Sequence, residues 1–230
     1  EFPAVQRELI DALHRAGKKI ILVNCSGSPI GLEPETQKCE AILQAWYPGQ
    51  QGGKAVAEVL FGDYNPAGKL PVTFYRNVSQ LPDFEDYNMT GRTYRYMQDV
   101  PLFPFGYGLS YTTFGYGKTV LDKNELTAGQ SLKLTVPVTN TGKRNGEEVV
   151  QVYLRKQGDA EGPIKTLRAF KRVSIPAGKT VNVEFDLKDK ELEWWDDQSN
   201  TVRVCPGNYD IMVGGSSKEE DLQRTTIAIK

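Results

Sequence analysis

The stretch SLKLTVPVTNTG, residues 131–142, places an apolar side chain at every second position from Leu132 to Val138. A period of two is typical of a β-strand that turns one face to a core and the other to solvent. The stretch EEVVQVYLRK repeats this alternation with Val150, Val152 and Leu154. Both stretches are therefore predicted to be half-buried strands of one domain.

The same pattern continues through the last half of the chain. Further short apolar stretches are TLRAFKRVSI, KTVNVEFDL, ELEWW, TVRV, GNYDIMVGG and RTTIAI, and turn signals such as IPAGK, DDQSN and CPGN separate them. About seven strands in about 115 residues are what a β-sandwich of the immunoglobulin or fibronectin type III kind requires. The Cys-Trp-Cys spacing of immunoglobulin domains is missing, so we predict a fibronectin type III-like β-sandwich over residues 115–230.

The first 80 residues have a different pattern. Residues 3–16 predict a helix with one apolar face, formed by Val5, Leu9, Leu13 and Ala16, that ends at Gly17. The apolar run at residues 20–23 predicts a strand that is covered on both faces, as in a parallel sheet. Further strands are predicted at residues 40–46 and 69–75, with a helix at residues 54–62 between them.

The predicted fold class is thus α/β plus all-β: a partial α/β sandwich over residues 1–80, then a connection at 81–114, then the β-sandwich. The opening helix has no strand before it, and three strands cannot bury both faces of a parallel sheet. We therefore expect a larger α/β domain that continues upstream of residue 1.

The stretch YRYMQDVPLFPFGYGLSYTTF, residues 94–114, is rich in aromatic residues but has neither helical nor strand periodicity. Its rings, from Tyr94 to Tyr111, can each bury on the order of 150 Å². Packing between the two domains is preferred over a sugar-stacking platform, because a flexible linker would be polar and rich in Gly and Ser.

The composition excludes several classes of function. The net charge is −1 and no basic run occurs, so nothing favours nucleic acid or anionic membranes as partners. The longest apolar runs are too short to cross a bilayer. The chain has three widely spaced cysteines and a single histidine, His14, which we place on a helix surface. This composition argues against a metal site, and no cofactor is expected.

Polar residues follow the first predicted strand in the loop NCSGSP. Asn24 and Ser26 would lie at the carboxyl end of that strand, where ligands bind in open α/β sheets. The small side chains around Gly27 could equally serve only a tight turn, and both readings stay open. Cys25 has no nearby base, so we interpret it as a small buried residue and not as a nucleophile.

The second predicted strand runs into AWYPGQQGG. Trp46, Tyr47, Gln50 and Gln51 offer rings and amides, which are groups that stack on and hydrogen-bond to sugars. The segment GQQGG completes neither glycine-rich phosphate fingerprint, so nucleotide binding is rejected.

Carboxylates are plentiful, and glycoside hydrolysis needs two of them on opposite sides of a bond. The acids of DFEDYN, residues 83–88, are interpreted as a solvated loop, because nothing apolar is there to raise a pKa. Asn77 and Asn88 each begin an N-x-Ser/Thr sequon, which matters only where the source glycosylates such sites.

The motifs NCSGSPIGL, AILQAWYPGQQGGKAVAEVLFGDYNPAGKLPVTFY, RTYRYMQDVPLFPFGYGLSYTTF, VTNTGKRNGEEVVQVYL and PGNYDIMVGGSS occur in this order. Together they resemble the C-terminal part of a glycoside hydrolase family 3 enzyme, most closely the β-xylosidase and β-glucosidase-like members. The resemblance implies a (β/α)8 barrel, an α/β sandwich domain and a fibronectin type III-like domain.

The resemblance also implies a retaining, exo-acting hydrolase whose substrate is an oligosaccharide or an aryl or alkyl glycoside. Its aspartate nucleophile and its glutamate acid/base both fall upstream of Glu1, so no catalytic residue is assigned and the chain alone is expected to be inactive. For such a parent enzyme we expect secretion or a periplasmic location. The oligomeric state stays open.

The alternative is a non-catalytic carbohydrate-binding or adhesion module built on the sandwich. Such a module needs an exposed row of rings on one sheet face. The alternation instead places most of the rings at core positions, and those rings are Tyr153, Phe170, Phe185, Trp194, Trp195 and Tyr209.

Overall fold

The computed structural model describes all residues, 1–230, and the chain forms two compact units. The α/β unit comprises Glu1–Tyr64, Val72–Thr93 and Met97–Pro104. The sandwich unit comprises Asn65–Pro71, Tyr94–Tyr96 and Phe105–Lys230. The chain therefore passes between the units several times, whereas the sequence predicted consecutive ranges.

The α/β unit contains helices and a short parallel sheet. Its elements, in chain order, are α1 (Ala4–Arg15), β1 (Ile21–Asn24), α2 (Glu33–Thr36), β2 (Ala41–Gln44) and α3 (Gly52–Phe61), followed by a 3-10 turn at Val78–Gln80. A further short helix, α4 (Thr93–Tyr96), has its first residue in this unit and its other three in the sandwich unit. Strands β1 and β2 pair in parallel from Ile21 opposite Ala41 to Asn24 opposite Gln44.

The helix ends follow from the sequence. Gly17 has φ +66°, its N–H donates to the carbonyl of His14, and the N–H of Lys18 donates to that of Leu13. This pair of bonds is a Schellman motif, which satisfies carbonyls at the end of α1. Gly62 ends α3 in the same left-handed region, with φ +82°. The two predicted helices are therefore confirmed.

Burial in the α/β unit differs from the prediction. The residues of the apolar face of α1 are exposed, and only Ile10 of that helix is buried. In β1, Ile21 is exposed, and Leu22 and Val23 are half-buried. The expectation that this strand is covered on both faces is wrong for this chain, because Ile21 is 52% exposed and the sheet consists of only two strands.

The prediction of a strand at residues 69–75 is also wrong. Pro71 has no N–H to donate to a sheet, and the bonds of the stretch to residues 102–107 do not form a continuous ladder. Phe74 pairs only through an isolated bridge with Phe103. Leu70 donates to the carbonyl of Tyr107 at 2.8 Å and accepts from the N–H of Gly106 at 2.8 Å.

Residues 65–71, which we call the strap, are instead part of the sandwich unit. The Nδ2 of Asn65 donates to the carbonyl of Asn145 at 2.9 Å, and its Oδ1 accepts from the N–H of Tyr111 at 2.7 Å. The ammonium of Lys69 lies 3.2 Å from the carboxylate of Glu148, which is buried. Side-chain and backbone bonds therefore hold the strap at both ends.

The sandwich unit is built from short antiparallel strands and one short helix. The strands are β3 (Phe114–Tyr116), β4 (Val120–Leu121), β5 (Glu125–Leu126), β6 (Leu132–Asn140), β7 (Gly146–Lys156), β8 (Thr166–Ile175), β9 (Thr180–Leu187), β10 (Trp194–Asp196), β11 (Thr201–Arg203), β12 (Gly207–Gly214) and β13 (Gln223–Ile229), and the helix is α5 (Asp189–Leu192). One sheet has the order β5-β13-β12-β7-β8, and only its β5-β13 pair is parallel. In the second sheet β6 pairs with β3, β4 and β9, and β10 and β11 form a separate hairpin.

The core of this unit follows the alternation in the sequence. Leu132, Leu134, Val136 and Val138 of β6 are all buried, and Leu134 lies opposite Phe185 of β9. The opposing sheet contributes β7, whose predicted core residues are buried as well. This confirms the predicted sandwich. At β7 every residue from Val150 to Leu154 is buried. The second face of this strand is also covered, because Tyr94 packs edge-on against Tyr153 and Gln151 Nε2 donates to the carbonyl of Gly106.

Two of the six rings predicted for the core are exposed instead. Phe170 is 65% exposed, and Trp195 is 48% exposed with its Nε1 donating to Asp197. Phe170 lies on β8, which is an edge strand, and Trp195 lies on the isolated β10-β11 hairpin. Phe170 is the register partner of Gln151 and Trp195 follows the buried Trp194, so both rings lie on the face of their strand that turns away from the core.

The aromatic stretch at residues 94–114 is shared between the units. In the sandwich unit, Tyr94 stacks on Phe105 with centroids 4.2 Å apart and meets Tyr153 edge-on at 5.9 Å. In the α/β unit, Phe103 meets Phe74 edge-on at 6.1 Å. These rings are half-buried or buried, whereas Tyr111 is exposed. Packing within each unit is thus established, and packing between domains stays a prediction.

Candidate functional site

The candidate site lies where β1 and β2 end. Because the two strands are parallel, their last residues, Asn24 and Gln44, are register partners at the same edge of the sheet. Residues beyond the carboxyl ends of parallel strands are where open α/β folds bind ligands. The predicted site residues Asn24, Ser26, Trp46 and Tyr47 all lie at or just beyond this edge.

A small polar network joins the two strand ends. The Nδ2 of Asn24, which is buried, donates to Gln44 Oε1 at 2.5 Å and to Ser26 Oγ at 3.0 Å. The Nε2 of Gln44 lies 3.3 Å from both the carbonyl oxygen and Oγ of Ser26. Ser26 Oγ in turn donates to the carbonyl of Ser28 at 2.8 Å. The network fixes the orientation of these side chains beside a loop of small residues.

Gln44 is a member of the network that sequence reasoning missed. It follows three apolar residues in the strand AILQ, where a polar residue at the end of an apolar run is the available signal. A buried or half-buried amide needs hydrogen-bond partners. Its position opposite Asn24 supplies them, and the register of a parallel pair can only be read from the structure.

Trp46 and Tyr47 follow the network in the chain. Trp46 has φ +55°, a left-handed conformation that bulky residues rarely adopt, and its ring meets Phe74 edge-on at 6.1 Å. Tyr47 is exposed, and its ring lies so close to Gly27 that a Cβ there would be 2.3 Å from Tyr47 Cε2. The lack of a side chain at Gly27 therefore makes room for the Tyr47 ring. This role is more specific than the tight turn that the sequence offered as one reading of the loop.

Gln50 and Gln51 are not part of this arrangement. Both side chains are exposed, and neither makes a hydrogen bond to the network. Gln51 instead precedes α3, whose first residue, Gly52, packs against Pro48. The structure thus brings together Asn24, Ser26 and Gln44, and separately Tyr47 and Gly27, but leaves the two glutamines apart.

The cysteine next to the network does not match its predicted environment. Cys25 is exposed, not buried, because it follows the last residue of β1 in a loop that faces solvent. All three cysteines are free thiols. No three His, Cys, Asp or Glu side chains are gathered as the ligands of a metal ion would be, and no helix has the length and apolar character that a membrane span requires.

The carboxylates of the chain show ordinary structural roles. The pKa values of Asp11, Asp86, Asp196 and Glu219 shift downward from their ordinary values, whereas a general acid for glycoside hydrolysis needs a raised pKa. For Asp86 the main cause is the hydrogen bond from the backbone N–H of Asn88, which stabilises the charged carboxylate.

Two family models match the chain. Residues 1–111 match the glycosyl hydrolase family 3 C-terminal domain, and residues 148–217 match a fibronectin type III-like domain. The matches fall on the α/β unit with its adjoining segments and on the strands of the sandwich.

Relatives and solved structures agree with these matches. Xylan 1,4-beta-xylosidase of Xylanibacter ruminicola is 56% identical over 229 residues, which is 100% of this chain and 26% of that protein. A beta-xylosidase of Formosa agariphila is 42% identical over 98% of this chain and 32% of its own length. The crystal structure of a β-glucosidase from Erythrobacter marinus matches with a TM-score of 0.87 at 40% identity, over 100% of this chain and 30% of that one.

The chain therefore spans between about a quarter and a third of the length of the relatives it matches. Within that span the similarity covers both units and all the quoted motifs. The chain belongs to glycoside hydrolase family 3, and it corresponds to the C-terminal part of such an enzyme.

Proposed function

We propose that the chain is the C-terminal part of a retaining, exo-acting β-glycosidase of the β-xylosidase or β-glucosidase type. The observation that carries this proposal is the 56% identity to xylan 1,4-beta-xylosidase over 229 residues. The parent enzyme would release single sugars from the non-reducing ends of oligosaccharides or from aryl and alkyl glycosides. The periplasmic or secreted location stays a prediction.

The proposed chemistry is carried by two carboxyl groups outside this chain. One forms a glycosyl-enzyme intermediate, while the other first protonates the leaving oxygen and then activates water. Three carboxylates of the α/β unit have structural roles. Glu35 is paired with Arg7, and Asp83 and Asp86 cap turns in a loop. We therefore propose that the chain alone is inactive.

The proposed contribution of the chain to the parent enzyme is a wall of the substrate cleft. The network of Asn24, Ser26 and Gln44 presents amide and hydroxyl groups at the edge of the sheet. Sugar hydroxyls both donate and accept hydrogen bonds, so such groups suit them. The exposed ring of Tyr47 next to this network adds a flat apolar surface, which suits the C–H face of a sugar.

An assay of two proteins tests the proposal. The parent enzyme and the 230-residue chain are each incubated with p-nitrophenyl β-D-xyloside and p-nitrophenyl β-D-glucoside. Turnover is expected for the parent on at least one substrate and not for the chain. Turnover by the chain would refute its inactivity, and a parent inactive on both aryl glycosides would refute the glycosidase assignment.

A second candidate is a carbohydrate-binding module on the sandwich. It is favoured only by the exposure of Phe170 and Trp195, which the sequence had placed in the core. The two rings lie on different sheets, β8 and the β10-β11 hairpin, so they do not form one row along a strand. Replacing both with alanine should leave any glycan affinity of the chain unchanged, and a loss of affinity would favour this candidate.

A further inference from the structure

The segment that follows the 3-10 turn at Val78–Gln80 forms an exposed groove of its own within the α/β unit. The groove has a volume of about 550 Å³ and is lined by Val78, Leu81, Pro82, Phe84, Asp86, Tyr87, Met89 and Arg92. This volume lies in the range of small-molecule sites. Residues 81–92, which we call the 81–92 loop, supply all but one of these side chains.

Two aromatic rings dominate the surface of the groove. Phe84 is 94% exposed and Tyr87 is 90% exposed. Rings of this size gain free energy by burial, and fully exposed rings in one groove indicate a surface that receives a ligand.

The loop that carries the rings is held in one conformation by its own polar groups. The backbone N–H of Glu85 donates to Asp83 Oδ1 at 2.9 Å, and that of Asn88 donates to Asp86 Oδ1 at 2.9 Å. The guanidinium of Arg92 donates to the carbonyls of Asn88, Asp83 and Asp86. A preorganised loop loses little conformational entropy when it binds a ligand.

The end of the loop is strained and fixed. Thr93, a β-branched residue, has φ +56°, a left-handed conformation that such residues rarely adopt, whereas Gly91 adopts its φ of +72° without strain. The N–H of Thr93 donates to the hydroxyl of Tyr75 at 2.8 Å, which secures this conformation. Backbone strain of this kind is concentrated at binding sites and must be supported by the surrounding contacts.

The charges of the loop select the kind of ligand. Asp83, Glu85 and Asp86 are negative, and Arg92, the one positive group, is occupied by backbone carbonyls. The low pKa of Asp86 keeps that carboxylate charged. An anionic ligand would be repelled, whereas a neutral ligand with many hydroxyl donors suits both the carboxylates and the rings.

We propose that the 81–92 loop is a carbohydrate-binding site, separate from the edge of the β1-β2 sheet, in which Phe84 and Tyr87 stack on successive sugars of a β-linked oligosaccharide. The identity of the ligand as a β-linked saccharide rests on the proposed function. The site would hold a chain of sugars beyond the one that is cleaved.

Calorimetry with the 230-residue chain tests the proposal, and the probes are xylohexaose and cellohexaose. We expect binding of at least one probe and a loss of about tenfold or more in affinity for the double variant Phe84→Ala and Tyr87→Ala, which is about 1.4 kcal/mol. Phe61→Ala is the matched control, because that ring is 85% exposed in the same unit. It should bind as the unchanged chain does.

Two further variants separate stacking from a general apolar contact. Phe84→Trp keeps a flat ring and should retain affinity, whereas Phe84→Leu keeps apolar volume without a ring and should lose it. Equal affinities of these two variants, or binding of neither probe by the unchanged chain, would overturn the proposal. The proposal would also be overturned if the double variant bound both probes normally but changed the association state of the chain in sedimentation velocity. The loop would then be a protein interface.

Failure of the loop site and failure of the proposed function can be told apart. Binding is measured without turnover, and activity of the parent is measured on aryl glycosides that have one sugar. A parent without glycosidase activity would refute the proposed function alone, and a chain that does not bind the hexasaccharides would refute the loop site alone.

Discussion

The carboxylate of Glu35, which is fully buried, is paired with the guanidinium of Arg7, whose Nε lies 2.9 Å from Glu35 Oε1. Arg7 lies on α1 and Glu35 on α2, so the pair joins two helices of the α/β unit. The hydrogen bond to Glu35 is also the main cause that raises the pKa of Arg7, which keeps the guanidinium charged. A buried charge that keeps its partner is tolerated, but one that loses it is costly.

The first prediction concerns this pair. Arg7→Met should lower the free energy of unfolding of the α/β unit by about 3 kcal/mol, because it leaves the Glu35 carboxylate buried without its cation. Arg76→Met is the control: it removes a bond of 2.7 Å to Glu33, but both side chains are 39% exposed. It should cost less than about 1 kcal/mol. Urea unfolding measures both, and equal losses would contradict the prediction.

The second prediction concerns a glycine of the aromatic stretch. Gly106 has φ +77°, and a Cβ there would lie 2.0 Å from Gln151 Oε1. Gln151 cannot move freely, because its Nε2 donates to the carbonyl of Gly215 at 2.6 Å and its Oε1 accepts from the hydroxyl of Tyr153 at 2.5 Å. Gly106→Ala should therefore break buried hydrogen bonds as well as strain the backbone.

The matched control is Gly129→Ala, where φ is +87° and no atom lies within 4 Å of the new Cβ. Backbone strain alone costs about 1 kcal/mol there, whereas Gly106→Ala should cost at least about 2 kcal/mol more, since it disrupts buried polar groups. Thermal unfolding of the two variants measures the difference. Similar melting temperatures would show that Gln151 can move aside at little cost.

The third prediction concerns the network at the end of β1 and β2. In the parent enzyme, Asn24→Ala and Gln44→Ala should each lower kcat/KM by roughly tenfold, since a hydrogen bond of about 1.4 kcal/mol that orients the cleft wall is lost. Gln98→Ala, an exposed amide of the same unit, serves as the control and should leave kcat/KM unchanged. Steady-state kinetics on an aryl glycoside measure these effects. Unchanged kcat/KM in both network variants would refute the proposed role of the network in the substrate cleft.

The fourth prediction concerns pH. The pKa of Asp196 is lowered from 3.8 to about 2, first by the hydrogen bond from Ser199 and then by that from Arg203, whose Nε lies 2.7 Å away. A lowered pKa in the folded state means that the carboxylate stabilises the β10-β11 hairpin fully above about pH 4. This contribution fades as the pH falls toward 2.

A carboxyl carbon NMR titration measures this value directly. The midpoint for Asp196 should be near 2 in the unchanged chain, and Ser199→Ala should move it upward, because the hydroxyl donor is removed. A midpoint at the ordinary aspartate value in the unchanged chain would show that the hairpin bonds do not form in solution.

The β-sandwich could be predicted from the sequence because the alternation of apolar and polar residues shows directly which side chains share a face of a strand. Leu132 to Val138 needed no other information. The method fails where the pattern does not show which face of a strand turns to the core: Phe170 lies on the outer face of β8, and Ile21 belongs to an apolar run but is exposed. Burial at such positions depends on topology and not on local pattern.

The candidate site was predicted in part for the same reason. Asn24 and Ser26 follow a recognisable strand, so their position at the sheet edge could be inferred. Gln44 and the Tyr47–Gly27 contact depend on the register of the parallel pair and on a left-handed residue, Trp46, and neither leaves a clear signal in the sequence. Residues 83–88 were predicted to be a solvated loop, but sequence alone could not show that Phe84 and Tyr87 line one groove.

The strap has a consequence for limited proteolysis. A single cut in the 81–92 loop would leave the strap on the N-terminal fragment, while its partners Asn145 and Glu148 would lie on the C-terminal fragment. Residues 97–104 would likewise be severed from the rest of the α/β unit. The two fragments of a nicked chain should therefore stay associated through native gel filtration and come apart only in denaturant, so a cut that is visible on a denaturing gel would not mean that the domains had separated.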